Sequence, residues 1–344
     1  MVITMYNGVE KKGYNYRLIL WLAVLTVCIY LAGCAGPGEK VSAIPEEETT
    51  AQPTEEGGLE SAVKTGSVVT ILGGSQQLTS GDYNNGIGSF HPDGDRIVFQ
   101  SDRDGHWQIY ELDLALNSER KVIESDANDE NPVWTPDGSL LLFVSDRDGG
   151  GEEWARDIYS YDPATGLVTR LTTSPADDWF PVPIDGSSFI FLSEREANRN
   201  LSIFYRQNSM YIGFADGSEP VKLAGMDLDI SSPAEWDSDR FVIRSSDGRF
   251  EIWSSEDGSI EPLTPPYMKC GTASIDRNSN RIVFNAREQG DYQLYIMDLN
   301  TKTMQQLDSA GGDVRYPQFS SDGSGIIYTA GTDGYFQLYQ LSLE

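Results

Sequence analysis

The feature that most constrains this chain is a repeat. Ser89-Phe90-His91-Pro92-Asp93-Gly94 is answered 44 residues later by Val133-Trp134-Thr135-Pro136-Asp137-Gly138, and again by Phe319-Ser320-Ser321-Asp322-Gly323. Weaker copies lie between them at Pro183-Ile184-Asp185-Gly186, Trp236-Asp237-Ser238-Asp239 and Ile275-Asp276-Arg277-Asn278. Each copy leads into a β-rich run such as RIVFQSD or LLLFVSD. A loop follows, then a second run such as WQIYELDL or YQLYIMDL, then a shorter one that ends in Leu-Thr or a relative of it. Counting the strand that enters the Asp-Gly turn, each unit holds four strands punctuated by turn residues. Six units of about 46 residues match the period of a propeller blade. The expected fold is all-β, a six-bladed β-propeller of four-stranded antiparallel blades. The sixth unit stops after its third strand, while residues 67–79 read as an outer strand with no unit of their own. This N-terminal strand is expected to complete the last blade and close the ring.

The front of the chain reads as an address. Lys11, Lys12 and Arg17 precede an apolar run over residues 18–32, the layout of a secretory signal. The run is shorter than the roughly 20 residues of a spanning helix. It ends in Leu31-Ala32-Gly33-Cys34, which resembles a bacterial lipobox. That resemblance implies cleavage before Cys34 and its lipidation by acyl chains such as palmitate. Two or more such chains hold a protein on a membrane stably. Residues 35–66 carry seven Glu, two Lys, three Pro and no aromatic residue, so they read as a disordered acidic linker. The expected organisation is a lipoprotein signal peptide over 1–33, lipidated Cys34 and linker over 34–66, and the propeller over 67–344. The expected place is a cell membrane or outer membrane, lipid-anchored on the exported side. Beyond Cys28 and Cys34 only Cys270 remains, expected as a packed thiol because no partner Cys is left for it.

The repeat text Pro-x-Trp/Phe-Ser/Thr-Pro-Asp-Gly, Ser-Asp-Arg-Asp-Gly, Ile-Tyr-x-Met-Asp, Leu-Thr is similar to the TolB-like, WD-type β-propeller repeat. It is clearest over residues 131–161, 90–114 and 281–299. The resemblance implies the propeller fold and covers nearly all of residues 67–344. It leaves function open among TolB itself, the gating domains of serine peptidases and parts of oligogalacturonate lyases, because function lives in sites grafted on folds. No Gly-x-Ser-x-Gly element is present. The nearest stretch, residues 86–90, has neither its spacing nor its context.

Charge narrows the partners. With 53 Asp and Glu against 25 Lys and Arg, the net charge is −28, and a nucleic acid would meet a repulsive field. Antiparallel connectivity gathers the loops that feed the inner strands on one face. These loops carry Asn84, Asn85, Asp129, Glu130, Asp178, Trp179, Phe180, Asp229, Tyr267, Lys269, Asp313, Arg315 and Tyr316. Converging at the channel mouth, they would form an acidic, aromatic ring suited to a cationic or polar peptide, a protein loop or a saccharide. The competing reading is that each Asp caps local amides. The expected function is a non-catalytic binding module for a cell-envelope protein, a peptide or a cell-wall glycan, acting as a monomer. The alternative is a glycan hydrolase or lyase that uses two ring carboxylates as acid and base.

The recurring Ser/Asn-x-Arg element at Arg103, Arg147, Arg195 and Arg287 is expected to serve the scaffold, as an arginine–carboxylate bridge between blades. Residues 194–209 form the one long insertion. The oxygen-rich set Asp126, Asn128, Asp129 and Glu130, or Asp146 with Asp148, is a candidate calcium site, although the spacing lacks the EF-hand pattern. No catalytic residue is assigned. A zinc site is unexpected with two His and one remaining Cys.

Overall fold

The structure is a computed structural model that describes residues 64–148, 156–197, 208–224, 231–332 and 334–344. The signal peptide, Cys34, most of the linker, Asp229 and most of the 194–209 insertion lie outside the described residues. Two short strands, β1 (Lys64–Thr65) and β2 (Gln76–Gln77), precede the blades. Blade 1 holds β3 (Asn85–Phe90), β4 (Arg96–Ser101), β5 (Gln108–Asp113) and β6 (Ser118–Lys121). Blade 2 holds β7 (Asp129–Trp134), β8 (Leu141–Ser145), β9 (Asp157–Asp162) and β10 (Leu167–Arg170). Blade 3 holds β11 (Asp178–Pro183), β12 (Ser188–Ser193), β13 (Ser209–Phe214) and β14 (Val221–Ala224). Blade 4 holds β15 (Ser231–Glu235), β16 (Arg240–Arg244), β17 (Phe250–Ser254) and β18 (Ile260–Pro262). Blade 5 holds β19 (Lys269–Asp276), β20 (Arg281–Arg287), β21 (Gln293–Asp298) and β22 (Thr303–Gln306), and blade 6 holds β23 (Gly312–Phe319), β24 (Gly325–Thr332) and β25 (Tyr335–Ser342).

Every blade is an antiparallel meander, and β2 pairs with β25 as the fourth strand of blade 6. The expected closure therefore stands, and its chemistry is that of the Leu-Thr repeat. Thr172 Oγ1 accepts the Ile158 N–H at 3.0 Å, and Thr264 Oγ1 accepts the Phe250 N–H at 2.8 Å. Thr79 Oγ1 accepts the Leu338 N–H at 2.9 Å, so Leu78-Thr79 ends blade 6 as the other Leu-Thr pairs end theirs. Lys64–Thr65, at the end of the expected linker, adds to blade 5 as a fifth, parallel strand beside β22. The Val68 and Val69 amides then share Gln305 Oε1 at 2.6 and 3.0 Å.

The second strands read as unbroken apolar runs because both their faces are covered by neighbouring blades: Ile97, Val98, Phe99, Leu141 and Phe143 are all buried. On the adjacent third strand an aromatic ring stacks beside them in five blades: Phe99 with Tyr110, Phe143 with Tyr159, Phe191 with Tyr211, Phe284 with Tyr295, and Tyr328 with Tyr339, at 5.5–6.0 Å. The Asp-Gly turns are what their sequence says. Asp137 accepts the Thr135 hydroxyl and the Ser139 amide, and Gly138 takes φ 71°, where a side chain would be strained. Cys270 is buried against Thr264 Oγ1 at 3.4 Å, and burial pushes its thiol up to about 11.

Candidate functional site: the axial cavity

Several residues of the loops that feed the inner strands make hydrogen bonds across the seams between blades. The Trp107 N–H donates to Asn128 Oδ1 at 3.1 Å, and its carbonyl accepts the Asp129 N–H at 2.9 Å. The same double contact joins blade 3 to blade 2, where the Arg156 N–H meets Asp177 Oδ1 and the Arg156 carbonyl meets the Asp178 N–H. It joins blade 6 to blade 5 through Tyr292, Asp313 Oδ1 and the Val314 N–H. Blade 1 is tied to blade 6 by Asn84 Oδ1, which accepts the Phe336 N–H at 3.1 Å. Asn84, Asn128, Asp177 and Asp313 thus cap backbone amides of the preceding blade, while Asp82 and Asp126 of the same loops are exposed.

The remaining side chains of the expected ring are mostly engaged as well. Asn84 chelates Asp102 through its backbone and side-chain N–H groups, both at 2.7 Å. Asn85 is buried and bonds Gln337 Oε1. Asp129 is buried and receives both its hydrogen bonds from Arg147, at 2.8 and 2.9 Å. Asp178 is buried beside Arg195 at 2.9 Å. Asp313 and Arg315 pair with each other at 2.6 Å, while Arg315 lies over the Phe336 ring. Trp179 donates to Asn208 Oδ1, and Lys269 donates to the Asp247 carbonyl. Tyr267 is exposed. Glu130 is largely buried 3.9 Å from Arg156, and burial raises its pKa. The proposed calcium set does not fit a cation. Asn128 and Asp129 have their oxygens committed to Trp107 and Arg147, and among the described residues no group of three or more His, Cys, Asp or Glu side chains converges.

Three of the four recurring arginines bond within their own blades rather than between blades. Arg103 reaches Asn85 Oδ1, Arg147 reaches Asp129 and Arg195 reaches Asp178, each also bonding the Ser two residues before it. Each guanidinium lies over the Tyr of the third strand, and that Tyr hydroxyl donates to Asp104, Asp148 or Glu196. Arg287 does not join the set. It follows Ala286, which pairs with Cys270 as Ser101 pairs with Asn85, so Arg287 falls one residue early and lies instead over Tyr292.

Asp178 carries a pH signature. Arg195 Nη2 is its one close donor, the Thr172 and Ser193 hydroxyls stand nearby, and Oδ1 has no aligned partner. Burial pushes its pKa up to about 6, against the pull of Arg195 and the two hydroxyls. A carboxyl with a raised folded pKa binds its proton more tightly folded than unfolded, so its contribution is full below the unfolded value of 3.8 and is lost as pH rises through about 6. Wild type should lose about 2 kcal/mol relative to Asp178→Asn between pH 4 and pH 7, read by urea unfolding. Parallel pH profiles of the two proteins would refute this.

The cavity itself lies on the axis, toward the opposite face. It encloses about 440 Å³ and is walled by the inner strands of all six blades. Its lining begins at Ile87, Asn131, Phe180, Thr272 and Tyr316 and ends among the Asp-Gly turns at Pro92, Pro136, Asn278 and Ser321. Ile87, Asn131, Phe180 and Tyr316 share one strand position and hold φ between 48° and 57°. At that position the inner strand bulges in blades 1, 2, 3 and 6. The amides freed by the bulge are taken up by the blade before: Asn131 by Gln100 Oε1, Ile87 by Thr329 Oγ1, Tyr316 by Thr272 Oγ1. Pro132, Pro181, Pro233 and Pro317 follow as the middle of the wall. Of the described residues expected at the site, only Phe180 and Tyr316 reach this cavity. The recurring Pro of the inner strand is the sequence signal for this cavity.

The charged residues in the lining are Glu235, Asp276 and Arg277. Asp276 is held by Arg281 at 2.9 Å and by the Ser279 hydroxyl. Glu235 is buried with its pKa raised by desolvation, opposed by an ion pair with Arg277 of the next blade.

A closed six-bladed propeller with an axial cavity lined by both apolar and polar groups is a scaffold found in proteins of several activities. The profile of the TolB beta propeller domain matches residues 60–233, about half of the chain, and the chain belongs to that family. The matched span covers blades 1 to 3, the blades that carry the arginine–tyrosine set. Among solved structures, a TolB-type protein from Agrobacterium tumefaciens aligns at TM-score 0.58 and 19% identity, over 78% of this chain and 92% of that one. A gluconolactonase from Xanthomonas campestris aligns at TM-score 0.58 and 15% identity, over 78% and 89%. An oligogalacturonate lyase in complex with manganese aligns at TM-score 0.55 and 15% identity, over 78% and 93%. At these identities the likeness is one of fold. No curated protein sequence matches the chain.

Proposed function

We propose that this chain is an exported, lipid-anchored binding protein that holds a cell-envelope ligand, whether a protein, a peptide or a glycan fragment, in its axial cavity without transforming it. The observation that carries this reading is the cavity wall. It is built from proline, aromatic and small side chains, and its carboxylates are bound by arginines rather than free to act as acid and base. Membership of the TolB propeller family and the lipobox-like Cys34 support the exported setting; acyl labelling lost in Cys34→Ser tests the anchor. The acidity of the outer surface then serves solubility and excludes polyanions.

The cavity is tested by filling it. Gln318 lies in the wall on β23, and Gln318→Trp adds a large ring to the space. A thermal-shift screen of envelope-derived peptides and small molecules should give hits that raise the melting temperature of wild type by a few degrees at saturating ligand. The same hits should fail on Gln318→Trp. Hits that stabilise both proteins equally would place binding elsewhere and sink the proposal.

A further inference from the structure

Two positions break the repeat, and they meet. The inner-strand residue paired with the first apolar residue of the second strand is Phe90, Trp134, Pro183, Ile275 or Phe319 in five blades, and Glu235 in blade 4. Two residues further on, the position holds Pro92, Pro136, Asp185, Asp237 and Ser321, and Arg277 in blade 5. A carboxylate in an apolar slot and the one arginine among six turns are separate departures, on adjacent blades, joined as an ion pair in the cavity lining. Sequence-level rules fail in this way where a fold carries function.

The pair is lopsided. The Glu235 side chain is 5% exposed and that of Arg277 is 42% exposed, so a group entering the cavity meets the guanidinium and not the carboxylate. Arg277 uses Nη2 on Glu235, and a guanidinium has five N–H donors, so one edge remains for a second anion. Of the charged residues in the lining it is the sole cation. Resting on the reading that the cavity holds a ligand, we infer that Arg277 makes it selective for an amphipathic organic anion. Such a ligand has an apolar body that fills the proline-walled space and one carboxylate, sulfonate or phosphate that docks on Arg277. Glu235 holds the guanidinium in place and weakens the anion by repulsion.

Two dyes separate the inference from the reading beneath it. 8-Anilinonaphthalene-1-sulfonate is an apolar anion, and N-phenyl-1-naphthylamine is its uncharged counterpart. Both should fluoresce on the folded protein, checked by near-UV circular dichroism, and both should lose binding in Gln318→Trp. Arg277→Gln should weaken the anionic dye about fivefold and leave the neutral dye unchanged, as suits a partly exposed, salt-sensitive contact. Glu235→Gln should tighten the anionic dye about threefold by removing the competing carboxylate. Blockage of both dyes by Gln318→Trp with no change in their ratio in Arg277→Gln overturns the anion selectivity and leaves the cavity reading standing. Dye binding that ignores Gln318→Trp, or no binding at all, overturns both.

Discussion

Arg147→Ala is expected to cost the propeller about 3–5 kcal/mol, the scale for breaking a buried charge pair from one side. Asp129 is wholly buried, and both its close hydrogen bonds come from the Arg147 guanidinium. Removing that group leaves a carboxylate with neither water nor partner in a low-dielectric seam. Its loss also uncovers the faces of Phe143 and Tyr159, over which the guanidinium stacks at 5.1 and 5.0 Å. The protein contains its own control. At the matching position blade 1 has Asn85, whose Oδ1 accepts from Arg103 at 3.0 Å, so a neutral amide suits this slot. Asp129→Asn should therefore cost under about 1 kcal/mol, and Asp129→Asn in the Arg147→Ala background should restore most of the loss. Urea unfolding of the three variants measures it. A loss under about 1 kcal/mol for Arg147→Ala would show that the buried pair contributes no more than a surface one.

Removal of the N-terminal closure should be as severe. A chain beginning at residue 81 loses Val69, which is buried, and Leu78, which packs with Phe90 and Leu338. It also leaves the Leu338 amide without the Thr79 hydroxyl and opens the edge of β25. Two or three apolar side chains at about 1.5–3 kcal/mol each, with the open ladder, put the expected loss above about 5 kcal/mol. The melting temperature should drop by more than about 10 °C, or the chain should aggregate through the exposed edge. Among the described contacts, a chain beginning at residue 67 loses β1, its pairing with β22 and the Gly66 N–H bond to the Met304 carbonyl, and should melt within a few degrees of the longer chain. Equal melting of the two truncations would mean that the ring does not depend on its closing strand.

The blades were legible because their pattern is local. Each strand is a short apolar or alternating run, four of the six turns are Asp-Gly, and the period is fixed, so one unit suffices to read the rest. The orphan segment at residues 67–79 revealed the closure by counting. The arginine element was legible at Arg103, Arg147 and Arg195, where Ser-x-Arg stands in register. It misled at Arg287, where the residue type recurs but the register does not. The acidic ring was legible as composition, but the partners of its members were not. Asn128, Asp177 and Asp313 sit beside strands that precede them by about twenty residues, in another blade, and their partners are backbone amides that no side-chain pattern reports.

The sequence by itself determined the number of blades, the strand order within each and the strand that closes the ring, because all of these follow from periodicity and turn chemistry along the chain. Only the tertiary structure decided which face holds the cavity, that Asp177 and Asp313 serve the seams, and that Glu235 meets Arg277. Those contacts join residues of different blades, and the distance between them is set by closure of the whole ring rather than by any local rule.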